Sequence, residues 1–162
     1  AINNILALFG IEGPSWLQSS KWAMPAIVLA SVWKDMGYFG LMLMSGLQGI
    51  NQEYYDAAAI DGAGKIKQFT RITLPLLTPT LFFVLIISLI NSFQLFTQIM
   101  IMTPDGGPLG STMVMVERIY KCGFRYYEMG TAAAYSWILF AILLLLTMVQ
   151  MKLQNKWVNY DD

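Results

Sequence analysis

The side chains with any capacity for chemistry lie in two stretches. From Asn51 to Pro79 the chain reads NQEYYDAAAIDGAGKIKQFTRITLPLLTP, with Glu53 and Asp56 before a run of small residues and Lys65, Lys67 and Arg71 after it. From Ser88 to Gln98 a hydroxyl and three amides recur as Ser88, Asn91, Gln94 and Gln98. Neither stretch is equipped for covalent catalysis. The chain has no histidine, so the commonest general base and metal ligand are missing. Its single cysteine, Cys122, can form no internal disulfide and no thiolate cluster, and reads as a small buried side chain. No nucleophile–base pair stands out, which argues against an intramembrane enzyme. Gly106-Gly107-Pro108 is not followed by Gly-Lys-Ser/Thr, so it reads as a tight turn rather than a phosphate cradle. We expect no catalytic residue, no metal and no cofactor. What remains is recognition: acids and bases that orient a partner, and amides that suit sugar hydroxyls.

These residues are positioned by apolar elements. Of 162 residues, 56% are hydrophobic and 12% charged, with formal net charge zero. A soluble domain carries about a quarter charged residues. A balanced charge leaves no electrostatic footprint for nucleic acid. Crossing a bilayer takes about 20 apolar residues. Two uncharged runs meet that length: one between Arg71 and Asp105, strongest at Leu81–Met102, and one between Glu128 and Lys152, centred on Ala132–Gln150. A third candidate, Met24–Leu47, is interrupted by Lys34 and Asp35, which either lie within a span or mark the end of a shorter one. Trp16, Trp22 and Trp33 accompany the first span, and Trp157 and Tyr160 follow the last, as headgroup-zone rings do. The predicted fold is all-α and polytopic, with about three transmembrane helices and no internal repeat. Residues 1–20 read as an amphipathic lead-in at the outer interface, with a turn at Gly13-Pro14. The lysines and arginines tip the 51–79 loop and the C-terminal tail toward the cytoplasm. The chain begins at Ala1 without methionine, so we expect the later part of a longer protein, a trimmed N-terminus being the alternative.

Local signals in the loop are clear. Asn51 suits an N-cap, and Glu53 sits in the first turn, where the helix dipole favours negative charge. Asp56–Ile60 continues a short helix, and Gly62 supplies a left-handed stop. A second short helix runs from about Gly64 to Ile72, closed by Leu74-Pro75. Such a helix–turn–helix is either a rigid knob that receives a partner or an amphipathic loop lying on the membrane. At about 100° per residue, Ser88, Asn91, Gln94 and Gln98 fall within roughly a third of a helix circumference. They line a sugar path, with Trp33 and Tyr135 as stacking rings, or they join helices by hydrogen bonds.

The loop resembles the cytoplasmic signature of ABC importer permeases: Glu-Ala-Ala, three residues, Gly, nine residues, Ile, one residue, Leu-Pro. Here Asp56-Ala57-Ala58 is followed by three residues and Gly62, then nine to Ile72, then Thr73 and Leu74-Pro75. The departure is Asp56, which keeps the glutamate's charge and shortens its reach by a methylene. Trp33-Lys34, Gly46-Leu47-Gln48, Thr103, Gly106-Gly107-Pro108, Phe124, Gly130, Ala132-Ala133-Ala134, Ser136 and Trp157-Val158-Asn159-Tyr160 are similar to the carbohydrate and glycerol-phosphate branch, on the maltose-permease side.

The resemblance implies the last three helices of a six-helix subunit in the cytoplasmic membrane of a bacterium or archaeon. It favours one long helix through Lys34 and Asp35. It implies a sugar importer whose 51–75 loop docks on a separate nucleotide-binding ATPase through Glu53, Asp56, Ala57, Ala58, Gly62, Ile72, Leu74 and Pro75. The implied partners are a second permease subunit, ATPase subunits, an extracytoplasmic solute-binding protein and membrane lipid. The alternative is a secondary transporter or channel not driven by ATP, for which Lys34–Asp35 is the one hint of an intramembrane relay.

Overall fold

A computed structural model describes residues 2–10 and 12–157; the expected ring at Tyr160 and the similarity at Val158-Asn159-Tyr160 lie outside them. The described residues are helical with no strand. In chain order the helices are α1 (Ile2–Leu8), α2 (Ala23–Gln48), α3 (Gln52–Ile60), α4 (Lys65–Gln68), α5 (Leu74–Leu76), α6 (Thr78–Phe93), α7 (Thr97–Met102), α8 (Met115–Tyr120) and α9 (Met129–Trp157). π turns at Phe69–Thr73 and Lys121–Arg125 continue α4 and α8.

Among the described residues, two helices are long and apolar enough to cross a membrane, Ala23–Gln48 and Met129–Gln154, and the bent pair Lys65–Leu76 and Thr78–Phe93 brings the total to three if it forms one span. α2 is continuous, so Lys34 and Asp35 lie inside it. Its 26 residues correspond to about 39 Å at 1.5 Å per residue, enough for a bilayer core of about 30 Å. Val28, Leu29 and Val32 on α2, and Trp137, Leu144 and Leu145 on α9, are exposed. Such faces are stable against lipid or other apolar surfaces, not against water.

The second span departs from the continuous helix expected over Leu81–Met102. α6 ends at Phe93, residues 94–96 leave the helix, and α7 restarts at Thr97. The break gives the Phe96 ring a contact with Tyr120, their centroids 5.1 Å apart. Local periodicity does not register such a contact between residues distant in sequence. The loop's second helix also differs. It does not close at Leu74-Pro75; the π turn carries it to Leu76, and the chain bends by 60° into α6.

The chain forms two compact units, Ala1–Lys34 with Ser92–Ala141, and Asp35–Asn91 with Ile142–Asp162. In the first, the Asn3 side chain accepts from Trp16 Nε1 at 2.6 Å and donates to the Gly13 and Pro14 carbonyls, fixing the expected turn. Ala23, Ile27 and Ile99 are fully buried, and Cys122 is buried as expected. In the second, α2 meets α6 where Gly46 faces Thr80. A Cβ at Gly46 would lie 2.5 Å from Thr80 Oγ1 and 2.9 Å from Thr80 Cβ. Close helix approach at a small residue is the usual basis of helix association in membranes. In the full-length protein in lipid, Gly46→Val should therefore cost about 1–3 kcal/mol of stability. Thr80→Ala in the same chain should recover part of that in thermal unfolding, whereas additive effects would show that the contact is absent.

Candidate functional site

The loop from Asn51 to Leu77 belongs to one unit and is held by hydrogen bonds at both ends of α3. The Asn51 side chain accepts from the Glu53 N–H at 3.0 Å, the expected N-cap. At the other end Gly62 has φ +75°, its N–H donates to Ala59 O at 3.0 Å, and the Ala63 N–H donates to Ala58 O at 2.9 Å. That pair of bonds is a Schellman stop, which needs a residue free to adopt the left-handed region. The spacing from Ala58 to Gly62 is therefore a structural requirement: Ala58 supplies the last-turn carbonyl and Gly62 the reversal.

α3 is tied to the following segment by Tyr55, whose hydroxyl lies 2.9 Å from Thr73 Oγ1 in a part-buried contact. The sequence reading missed this link because the partners are 18 residues apart and follow no helical spacing. Gln68 Nε2 donates to Ala63 O at 3.2 Å and closes the turn between the helices. Pro75 carries no N–H, and the chain widens ahead of it: the Leu74 N–H donates to Phe69 O, five residues back. Pro79 leaves Pro75 O without its helical donor, and the Thr78 hydroxyl takes that place at 2.6 Å.

These bonds fix which residues face out. Glu53, Asp56, Ala57 and Gly62 are exposed, Ala58, Ile72 and Pro75 half-buried, and Leu74 exposed. Gln52 Nε2 donates to Asp56 Oδ1 at 3.2 Å, one turn along α3, which orients the carboxylate. Ile60 and Ile66 are 88% and 82% exposed, so the loop presents apolar side chains beside its acids. Neither isoleucine was singled out from sequence, although their positions flanking the Gly62 turn carried the signal.

The amide series is placed differently from its periodicity. Ser88 and Asn91 are on α6, Gln94 is beyond its end and Gln98 is on α7, so the four do not share one helix. The Ser88 hydroxyl donates to Leu85 O of its own helix at 3.0 Å. Asn91 and Gln94 are exposed, Ser88 and Gln98 half-buried; Trp33 is exposed on α2 and Tyr135 half-buried on α9.

A second constellation lies within residues 96–125. Gly106-Gly107-Pro108 forms the expected turn, with Gly106 at φ +85° and Gly107 at φ +67°. A Cβ on Gly107 would lie 2.7 Å from Thr112 Oγ1, so the glycine lets the turn close over the buried Thr103–Thr112 hydroxyl pair, 2.8 Å apart. On α8 and its π turn, Lys121 Nζ lies 3.1 Å from Glu117 Oε1 and 3.7 Å from Asp105, and Arg125 pairs with Asp105. The i,i+4 spacing of Glu117 and Lys121 was a legible signal that the sequence reading passed over. Among the described residues no group of three or more His, Cys, Asp or Glu could hold a metal ion.

The chain belongs to the family described as binding-protein-dependent transport system inner membrane component, whose profile matches residues 2–160. It is 36% identical over 163 residues to the probable ABC transporter permease protein YesP of Bacillus subtilis (strain 168), covering 99% of this chain and 52% of that protein. To the sulfoquinovosyl glycerol transport system permease protein SmoG of Agrobacterium fabrum it is 37% identical, covering 94% and 49%. To the sn-glycerol-3-phosphate transport system permease protein UgpA of Pectobacterium atrosepticum it is 36% identical, covering 97% and 54%. The chain thus spans about half the length of the curated relatives it matches. The fold matches, with a TM-score of 0.83 and 24% identity over 96% of this chain and 54% of the other, the crystal structure of a bacterial ABC transporter involved in the import of the acidic polysaccharide alginate. The chain is therefore a membrane-spanning member of this inner-membrane component family.

The Asp105–Arg125 pair gives a pH signature. The hydrogen bond from Arg125, reinforced by the charges of Arg125 and Lys121 against an opposing desolvation, holds the Asp105 carboxyl below its ordinary value. A depressed carboxyl contributes stability that is complete above its unfolded pKa of about 3.9 and is lost as pH falls through the lower folded value. The difference in thermal midpoint between wild type and Asp105→Asn should be constant above about pH 4 and shrink below it. A difference independent of pH to the end of the titration would remove the pair from the stability of this loop.

Proposed function

We propose that this chain is part of the membrane-spanning subunit of an ATP-driven importer, passing a sugar or related solute across the cytoplasmic membrane. In this reading the 51–75 loop and the C-terminus face the cytoplasm, and the segment around Thr103–Tyr127 faces outside. The loop docks on a nucleotide-binding subunit that hydrolyses the ATP. A second permease subunit completes the path, an extracytoplasmic solute-binding protein delivers the solute, and lipid surrounds the helices.

The observation that carries the reading is the double-ended fixing of α3. Asn51 caps its start, the Gly62 reversal stops its end, and Tyr55 ties it to Thr73. A lever must not deform when pushed, and a loop bonded in this way moves with the helix that follows it. Asp56, Ala57 and Ile60 on its exposed surface offer a carboxylate to orient a partner and apolar area to bury. Permeases of sugar-type and glycerol-phosphate transport systems among the relatives support the solute class. Membrane burial alone would not require a rigid acidic knob between two short helices.

In the full-length complex in lipid, Gly62→Trp and Asp56→Lys should preserve assembly and uncouple ATP hydrolysis from uptake, lowering transport per ATP at least about tenfold, or ~1.4 kcal/mol of coupling. Normal coupled uptake in both variants would refute the loop's role. Trp33, Ser88, Asn91, Gln94, Gln98 and Tyr135 are proposed to contribute to the solute path. Asn91→Ala and Gln94→Ala should each weaken apparent affinity by roughly threefold to tenfold, the worth of one hydrogen bond. Unchanged affinity and solute range in both variants would return these amides to helix packing.

A further inference from the structure

We propose that the basic arm Lys65–Leu76 lies on the cytoplasmic leaflet and binds the headgroups of anionic phospholipid, leaving α3 as the face for the ATPase. Charge is segregated along the loop. The acids Glu53, Asp56 and Asp61 come before the Gly62 reversal, and the bases Lys65, Lys67 and Arg71 come after it. All of these side chains are exposed. Among the described residues, no carboxylate lies within ion-pair distance of Lys65, Lys67 or Arg71. A partner that complements α3 is positive and gains nothing at the arm, whereas a surface that complements the arm is negative. The cytoplasmic leaflet is such a surface, because its anionic lipids attract basic segments beside a span.

Apolar side chains complete the face. Ile66 and Phe69 are 82% and 55% exposed. At about 100° per residue they lie about 60° apart, with Lys65 beyond one edge and Lys67 beyond the other. Gln68 and Ile72, toward the opposite side, are half-buried, and Gln68 bonds back to Ala63 O, so the Ile66–Phe69 strip faces away from the protein. An apolar strip flanked by lysines suits the boundary between headgroups and acyl chains, where the stems lie along the strip and the ammonium groups reach outward. The elbow sets the height. The arm is bent by 60° from Thr78–Phe93, where the apolar run of the second span begins. With that span along the bilayer normal, an arm of about 18 Å at 1.5 Å per residue departs only about 9 Å from the hydrocarbon edge. The headgroup zone is roughly 5–8 Å deep on each side, so the three cations stay within its reach. The Leu74–Phe69 and Thr78–Pro75 hydrogen bonds hold the angle that keeps them there. The proposal rests on the importer reading only for the choice of leaflet.

The test uses the full-length complex in vesicles, with a photoreactive phenylalanine analogue at Phe69. The vesicles hold a minority of phosphatidylglycerol in phosphatidylcholine, and adducts are assigned by mass spectrometry. The parent complex should give lipid adducts enriched in phosphatidylglycerol at least about fivefold over its mole fraction, the worth of one cation near an anionic surface. Combining Lys65→Gln, Lys67→Gln and Arg71→Gln should return the adducts to the mole fraction. If that variant fails to assemble, salt decides. Raising ionic strength from about 0.1 M to about 1 M shortens the screening length from about 10 Å to about 3 Å and should lower the enrichment in the parent complex at least about twofold. Phe69 adducts on the ATPase or another protein subunit, lipid adducts at the mole fraction, or an enrichment that neither the variant nor salt moves would overturn the proposal. If ATP-coupled uptake persisted in that case, the importer reading would stand without the lipid contact. Conversely, a charge-dependent phosphatidylglycerol adduct in a complex that shows no ATP-coupled uptake would support the contact while refuting the importer.

Discussion

Two prolines four residues apart govern the middle of this molecule. Pro75 and Pro79 each withdraw one backbone donor from a helical path that an apolar surrounding requires to be fully bonded. The chain answers twice. A π turn over Phe69–Thr73 shifts the bonding by one residue ahead of Pro75, and the Thr78 hydroxyl reaches the carbonyl that Pro79 cannot serve. The outcome is a fixed bend of 60° between Lys65–Leu76 and Thr78–Phe93. Kinks with such causes are reproducible geometry rather than compliance. If the loop acts as proposed, Lys65–Leu76 and Thr78–Phe93 are the two arms of one bent lever, held at the elbow by the Leu74–Phe69 and Thr78–Pro75 hydrogen bonds.

The rest of the unit follows from that bend. Thr73 sits in the π turn and is where Tyr55 brings α3 back onto the elbow. Gly46 lets α2 approach Thr80, two residues beyond Thr78, so the close packing of the spans begins at the bend. In the proposed reading the Leu74-Pro75 end of the loop is the fixed elbow, the Asp56–Gly62 end is the face offered to a partner, and the residues between them are the connection. Removing the conformational freedom of Gly62 would alter what the partner meets; loosening the elbow would alter what the partner moves.

The ends of α3 were legible because capping is local: Asn51, Glu53 and Gly62 announce their roles by type and by place in a helix. The span at α9 was legible because length and hydropathy leave few alternatives; at α2 they left Lys34 and Asp35 open, and only the resemblance favoured the continuous helix. The π turn was not, since a proline in sequence marks a disturbance without saying how the backbone absorbs it. The end of α6 at Phe93 was not, because the Phe96–Tyr120 contact joins residues far apart in sequence. The same break dissolved the single stripe inferred for Ser88, Asn91, Gln94 and Gln98. Glu117 and Lys121 carried an i,i+4 signal, but only the structure shows them buried.

The most direct measurement is a site-specific photocrosslink from the exposed loop. A photoreactive side chain at Ile60 of the full-length protein, activated in membranes of the producing cell, should form an adduct with a nucleotide-binding subunit, and ATP should change its yield. The same group at Leu145, exposed on α9, should not. Adducts at Ile60 confined to lipid, with the ATPase present and assembled, would contradict the proposal that this loop receives the force.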